Sequence, residues 1–424
     1  MNIKKRIYVL DARLLKYIKA IGALADKKGI RACLVGGFVR DMFLNLDNFD
    51  VDIILERDGI KFANLVSKTL KLNMISHERF GTAVLANNSI KIDIATFRKE
   101  RYPYPGSLPV VSRGSLIEDL ARRDFTINAM AVSINKNDFG LVFDYINGLT
   151  DLKQRRLRIL HKKSFLDDPT RILRLVRFKA RFNFSVENKT LGYIRQAKKS
   201  KALEKMQRHR IRDELILIFK EAKPENAIKD LSKVYGLDFI HKKLQFKKSD
   251  SKKFLQVRRI IVWFEANFKE RRQLDVWLIY FIVFLSRLNL KQIRQVATTF
   301  GFKRGESIRL LSCQKSLNKV SRLLNNSGLS PSYVYKILNP LSYEVILILL
   351  CTLTNSGPKK YIKNFLRFYN LIRIKSGGDD LKKLGIKPGP NFKILLEKVK
   401  EEKLNLGFSS KREELTLLKK LIKK

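Results

Sequence analysis

Asp50 and Asp52 are one residue apart, and residues i and i+2 of a β-strand project from the same face. Their carboxylates would stand side by side while Val51 and Ile53 turn to the core. Two such anions repel unless a cation lies between them. A hard divalent ion takes oxygen ligands, and Mg²⁺ in particular is usually held by one or two carboxylates plus substrate phosphates. Upstream, the apolar stretch Ala32-Cys33-Leu34-Val35 ends at Gly36-Gly37. Without Cβ atoms the chain can turn sharply there and bring backbone N–H groups up to phosphate oxygens. Arg40 offers the same anion a planar fork of donors. Asp-x-Asp alone is also what the solvated face of an edge strand presents, and Gly-Gly alone is more often just a turn. Together with Arg40-Asp41 they point to nucleotide chemistry with Mg²⁺. A third carboxylate, Asp93, sits in Ser89-Ile-Lys-Ile-Asp-Ile-Ala-Thr96, opposite in phase to Ile90, Ile92 and Ile94, on a plausible neighbouring strand.

Positioning these groups requires a small mixed sheet. Ala32 to Val35, Phe49 to Leu55, Ala83 to Ala86, Ile90 to Thr96 and Leu141 to Tyr145 read as strands alternating with helical stretches. Beyond residue 150 strand signals almost vanish. Leu173 to Phe182, Arg212 to Phe219, Phe254 to Phe264, Leu274 to Leu288 and Val345 to Leu353 have helical length and spacing. The expected fold class is α+β, an α/β head on an all-helical remainder. Asp168-Pro169 reads as an N-cap followed by proline at the first helical position. That start leaves Arg171, Arg174 and Arg177 at i+3 intervals on one side of a helix, a pattern an exposed basic stripe would share. In Arg122-Arg-Asp-Phe-Thr-Ile-Asn128, Phe125, Ile127 and Ala129 alternate as a strand core would, whereas Arg122, Arg123, Asp124 and Asn128 are polar. Phe97 to Gly114 contains Tyr102-Pro-Tyr-Pro-Gly-Ser-Leu-Pro109, too proline-rich for regular structure.

The chain has 424 residues, with 87 Lys plus Arg against 40 Asp plus Glu and a formal charge of +47. Such an excess points to a polyanion, nucleic acid or an anionic membrane surface, with lysine drift in an AT-rich genome as a further source. A hydrophobic content of 45% supplies ample core, which excludes a basic disordered tail, and the length suggests roughly two to four domains. Met1-Asn-Ile-Lys-Lys-Arg has no signal-peptide pattern, and the longest apolar run, Val276 to Leu285, is too short to span a bilayer. Three scattered cysteines, Cys33, Cys313 and Cys351, make neither a disulfide framework nor a zinc site, and the four histidines have no ligand spacing. A cytoplasmic protein without a membrane partner is expected.

Gly36-Gly-Phe-Val-Arg-Asp41 followed by Asp50-x-Asp52 resembles the signature of the class II tRNA nucleotidyltransferase and poly(A) polymerase family. Asp119-Leu-Ala-Arg-Arg-Asp-Phe-Thr-Ile-Asn-Ala129 resembles its ribose-binding motif. Asp167-Asp-Pro-Thr-Arg-Ile-Leu-Arg-Leu-Val-Arg177 resembles the segment that reads the incoming base, although the family opens this motif with Glu where Asp167 stands. Gly378-Asp-Asp-Leu-Lys-Lys-Leu-Gly-Ile-Lys-Pro-Gly389 resembles its tail. The resemblance implies a nucleotidyltransferase head over residues 1–150, a helical neck over 151–220 and a tRNA-binding body and tail over 221–424. It makes Asp50 and Asp52 the Mg²⁺ ligands of a two-metal nucleotidyl transfer, with Asp93 as a further catalytic carboxylate. Gly36, Gly37, Arg40, Arg122, Arg123, Asp124 and Asn128 would bind phosphates and ribose. Asp168 and Arg171 would meet the base, supported by Arg174 and Arg177.

An Asp plus Arg pair suits that task, because the carboxylate accepts from the exocyclic amine that cytosine and adenine both carry. ATP and CTP are the implied substrates and the tRNA 3′ end the acceptor, with Lys382, Lys383 and Lys387 as candidate phosphate contacts. The resemblance also implies a hinge at Asn147-Gly148, where the family usually has two glycines, and a flexible loop at the Tyr-Pro-Tyr-Pro-Gly segment. Full CCA addition, addition of the terminal A alone, poly(A) synthesis and a catalytically dead RNA-binding module remain open. His77-Glu-Arg-Phe-Gly81 departs from the Gly-Arg-Arg-Phe-like run typical of bacterial poly(A) polymerases.

Overall fold

In the computed structural model, which describes residues 1–88 and 90–422 except the side chain of Arg79, the expected strands assemble around β1 (Ala32–Val35). All four β1 residues are buried, as their unbroken apolar run requires. β2 (Asp50–Leu55) pairs antiparallel with β1, and β3 (Asn73–His77), β4 (Thr82–Ala86) and β5 (Lys91–Thr96) extend the sheet. β6 (Arg98–Arg101) and β7 (Val110–Arg113) form a separate antiparallel ribbon, while β8 (Ala131–Ser133) and β9 (Val142–Phe143) close the other edge. The seven-stranded order is β3-β4-β5-β2-β1-β8-β9. β2 and β5 run parallel in a register that sets Asp50 opposite Lys91 and Asp52 opposite Asp93. Ser89, the first residue of the segment expected to carry Asp93, lies outside the described residues.

The helix Gly59–Leu70, capped by Asp58, buries Phe62, Ala63 and Val66 on β3 to β5. The opposite side is filled by Cys33, Val35, Ile54, Phe97, Leu116, Leu120, Ala129 and Ala131. Each large side chain withdrawn from water there contributes on the order of 1.5–3 kcal/mol, which fixes the strands that carry the acidic residues.

Several expectations need correction. Phe125, Ile127 and Ala129 are fully buried but not in a strand: Thr126–Asn128 is a 3₁₀ turn, held by Asn128 N–H to the Phe125 carbonyl and by the Asp124 and Asn128 side chains. The proline-rich Tyr102 to Pro109 run is irregular as expected, and it joins β6 to β7, two short strands the sequence reading did not single out. Leu141 to Tyr145 contributes only Val142–Phe143. Asn73–His77 and Ala131–Ser133 are strands the periodicity did not announce, the first because Asn73, Ile75, Ser76 and His77 are exposed and lack a buried face.

Two compact units divide the chain, Met1–Phe239 and Ile240–Lys424. In the first, the sheet is followed by the helices Thr170–Phe182, Asn188–Lys199, Arg208–Phe219 and Pro224–Val234. Asn147 takes the left-handed conformation, φ 60°, and Asp144 accepts hydrogen bonds from the Gly148 and Leu149 N–H groups. A Cβ on Gly148 would fall 2.3 Å from the Thr126 carbonyl oxygen, so this position admits no larger residue.

The second unit is helical among its described residues. Val276–Phe284 is nearly all buried, and the fully buried Glu344 accepts from Arg272 at 2.7 Å and Arg309 at 3.2 Å. Its C-terminal segment packs around Leu381, Val399 and Leu418. There the buried Glu414 carboxylate gathers the Lys375 and Ser376 N–H groups and the Lys403 ammonium. No single described helix is long and apolar enough to cross a membrane; only Pro331–Leu338 and Tyr343–Thr352 reach that composition together, and they are bent by 113°.

Candidate active site

β1 ends at Gly36, whose φ of 73° only glycine adopts without strain, and Gly37 begins the helix Gly37–Leu44. A Cβ on Gly36 would lie 2.9 Å from Arg123 Nη1 and 3.3 Å from Asp52 Oδ2, so the turn, the arginine and the β2 carboxylate converge on one point. The Asp50 side chain is 71% exposed, whereas Asp52 is half-buried. Burial pushes the Asp52 carboxyl up to about 6; Asp93 and Asp50 add to the rise, and Arg123 and Lys91 offset it only in part. A carboxylate so short of positive charge suits a cation.

Arg40 is buried and its fork is engaged. Nε and Nη2 meet Asp41 at 2.8 and 2.7 Å, Nη1 donates to Asn128 Oδ1 at 2.8 Å, and the guanidinium lies over Phe182 and Phe178 at 4.7 and 5.2 Å. Asn128 passes the connection on to Asp124 Oδ1 at 2.9 Å, and Arg174 meets Asp124 Oδ2 at 2.6 Å. Burial alone would raise the Asp124 carboxyl, but Arg174 and the Asn128 amide hold it below the usual carboxylate range. On the other side Asn48 donates to Asp41 and accepts from the Asp50 N–H, tying this network to the start of β2.

Arg122 and Arg123 share the buried Asp119, whose two oxygens accept at 2.8 and 2.9 Å, and Arg122 also meets Glu100 at 2.7 Å. From the helix Thr170–Phe182, Arg171 donates to Ser164 Oγ and to the Arg122 carbonyl, and Arg177 pairs with Glu214 at 3.4 Å. The helix begins at Thr170 with Pro169 in the cap position, one residue later than expected, and no side chain caps it; Asp168, just outside, accepts from the Thr170 N–H through Oδ1 and pairs with Arg210 at 3.0 Å. Among the described residues, the buried Nε atoms of Arg123, Arg174 and Arg177 have no hydrogen-bond partner. The guanidinium groups of all three residues nevertheless line one cleft, and their positive charge suits an incoming polyphosphate.

A cleft of about 770 Å³ brings together Gly36, Gly37, Arg40, Asp50, Asp52, Arg122, Arg123, Asp124, Asn128, Asp168, Arg171, Arg174 and Arg177. Asp93 faces Asp52 in register but lines an adjoining cavity of about 390 Å³. Lys382, Lys383 and Lys387 are exposed in the second unit, with Lys382 paired to Asp379 at 3.0 Å. Sequence reasoning missed Arg210, Asn48, Glu100 and Arg181, and did not place Tyr102 in the cleft wall. Of these only Arg210 carried a signal, its i, i+4 spacing to Glu214, although in the structure it pairs with Asp168 while Glu214 pairs with Arg177. Among the described residues no group of three or more His, Cys, Asp or Glu could hold a metal ion. Asp50 and Asp52, with the orphaned Oδ1 of Asp93 beside them, instead form the open oxygen donor set that suits Mg²⁺ completed by phosphate.

Residues 32–158 match the model of the poly A polymerase head domain, and residues 183–245 that of the probable RNA and SrmB-binding site of polymerase A. The chain is 32% identical over 410 residues to an A-adding tRNA nucleotidyltransferase of Geobacter sulfurreducens. That alignment covers 95% of this chain but 46% of the relative, so the chain spans about half of that protein's length. With an A-adding tRNA nucleotidyltransferase of Halalkalibacterium halodurans it shares 31% identity over 390 residues, 90% of this chain and 86% of the relative. The structure of the Thermotoga maritima CCA-adding enzyme complexed with tRNA matches at a TM-score of 0.73 and 30% identity, covering 100% of this chain and 99% of that one. With the glycine-turn, Asp-x-Asp, Arg122–Asn128 and Asp168–Arg177 motifs gathered in one cleft and its likeness to these relatives extending over nearly its whole length, this chain belongs to the class II tRNA nucleotidyltransferase and poly(A) polymerase family.

Proposed function

We propose that the protein is a tRNA nucleotidyltransferase, which transfers a nucleoside monophosphate from ATP or CTP to the 3′-hydroxyl of tRNA and releases pyrophosphate without a nucleic-acid template. The observation that carries this reading is the single cleft with paired carboxylates, Asp50 and Asp52, on one wall and Asp168 among arginines on another. Asp50 and Asp52 would hold Mg²⁺, which when bound acidifies the acceptor hydroxyl and neutralises triphosphate charge. The Gly36-Gly37 turn admits the phosphates, and Arg123, Arg174 and Arg177, which line the same cleft, bind and orient them. Asp124 and Asn128 hold the ribose side of the site, braced by Arg40.

Asp168 keeps Oδ1 for Thr170 and Arg210, while its Oδ2 has no hydrogen-bond partner among the described residues and accepts from the exocyclic amine of cytosine or adenine. Arg171 and Arg210 flank that edge with donors, so protein side chains act as the template. In this reading residues 1–150 form the catalytic head, 151–220 the base-reading neck and 221–424 the tRNA-binding body and tail, in the cytoplasm. Addition of the terminal AMP alone is a second reading, favoured by the names of the Geobacter and Halalkalibacterium relatives.

Purified protein with Mg²⁺ would be given tRNA ending before CCA, after the first C, or after CC, with labelled CTP or ATP. Growth of all three identifies a CCA enzyme, and AMP addition to the CC end alone identifies an A-adding one. Long adenosine tracts on unrelated RNA, or no incorporation anywhere, would refute the proposal.

A further inference from the structure

The parallel pairing of β2 with β5 does more than bring Asp93 beside Asp52: it also sets Lys91 opposite Asp50. Lys91 and Asp93 share a face for the same reason that Asp50 and Asp52 do. This patch therefore holds three carboxylates and one ammonium. Lys91 Nζ lies 2.9 Å from Asp93 Oδ2 and 3.7 Å from Asp50 Oδ1, bridging the two strands. Asp93 Oδ1 is buried with no hydrogen-bond partner among the described residues. The lysine side chain is 48% exposed, on a flexible four-carbon stem, so it can withdraw into solvent without disturbing the core.

We propose that Lys91 is a built-in counter-cation that holds Asp50 and Asp93 together when no metal is bound and competes with the divalent ion for their oxygens. It is a positioning residue, and it sets the metal concentration at which the site fills. The proposal rests on the reading of Asp50 and Asp52 as the Mg²⁺ ligands. Its physical basis is that an ammonium and a divalent ion are drawn to the same oxygens, and the two cations repel at that range. Removing the lysine charge while keeping the bulk of the side chain should tighten metal binding and leave the metal-free carboxylates less well compensated.

The test uses the full chain and Mn²⁺ as the probe, with free ion counted by electron paramagnetic resonance. Wild type, Lys91→Met, Lys91→Gln, Lys91→Arg and Asp50→Asn are titrated, and each is melted in chelator and in saturating Mn²⁺. Both neutral variants are expected to bind Mn²⁺ about tenfold tighter, equivalent to about 1.4 kcal/mol. They should melt lower than wild type without metal and gain more from its addition, whereas Lys91→Arg should show neither change. Equal or weaker Mn²⁺ binding by both neutral variants overturns the role of Lys91 while leaving the metal site standing, provided Asp50→Asn loses the ion. If Asp50→Asn binds Mn²⁺ as wild type does, the metal reading fails and this proposal fails with it.

Discussion

Replacing Gly36 by alanine probes the point where the glycine turn, Arg123 and Asp52 converge. The backbone there has φ 73° and ψ −137°, a conformation that costs an L-residue about 1–3 kcal/mol. The new Cβ would also stand 2.9 Å from Arg123 Nη1 and 3.3 Å from Asp52 Oδ2. Arg123 cannot simply swing away, because Nη2 of the same guanidinium is fixed at 2.9 Å on the buried Asp119. Weakening a charged hydrogen bond of this kind costs a further ~1 kcal/mol or more, so a total of about 3 kcal/mol is expected.

Urea unfolding of Gly36→Ala measures the stability loss, and AMP incorporation into tRNA ending in CC measures displacement of the phosphate-binding edge. Repeating the substitution in an Arg123→Ala background separates the two causes. The backbone strain persists there, while the steric part, about 1 kcal/mol, disappears as a coupling energy. Wild-type stability together with unchanged turnover in Gly36→Ala would refute the reasoning. An identical cost in both backgrounds would refute the part assigned to Arg123.

Asp50→Ala or Asp52→Ala should abolish incorporation and leave tRNA affinity in a filter-binding assay nearly unchanged, since in the proposed function the basic helical half would carry most of the binding; parallel loss of both would contradict that division. Asn128→Ala removes the acceptor for buried Arg40 and a donor to buried Asp124, which should cost about 2–3 kcal/mol by chemical denaturation. In the second unit burial alone would raise the Glu344 carboxyl, but Arg272 and neighbouring donors hold it at about 2 against an ordinary 4.5. The depressed value means that its contribution, on the order of 3 kcal/mol, is full above the ordinary pKa and is lost as pH falls through about 2. Acid unfolding of Glu344→Gln should accordingly be less steep over that window than that of wild type. For Lys382, Lys383 and Lys387, alanine at each true phosphate contact should weaken tRNA binding and lower the slope of log affinity against log salt by about one; an unchanged slope would remove them from the interface.

Local rules read much of this protein correctly. Alternation in Asp50-Val51-Asp52-Ile53 required two neighbouring carboxylates over a buried face, and that is how β2 lies. The strand-ending Gly36 and the left-handed Asn147 were legible because each is decided by the conformational limits of one residue, and the helix start near Pro169 was legible to within one position. Where periodicity had no buried face to follow, as in the exposed edge strand Asn73–His77, the sequence was silent.

What residues 36–214 do to one another was settled only by folding. Arg40, expected as a free fork for phosphate, is committed to Asp41 and Asn128, because a guanidinium buried in the head needs its donors satisfied there. The Phe125 to Ala129 alternation became a turn once Asp124 and Asn128 found partners contributed by Arg40 and Arg174. Arg210 entered the cleft through Asp168, and Lys91 reached Asp93 and Asp50 through the parallel register of β2 and β5. A chain can specify which side chains share a face of one strand; which face of another element meets it depends on tertiary packing, since only the register of strands and the docking of helices bring distant charges within a few ångströms.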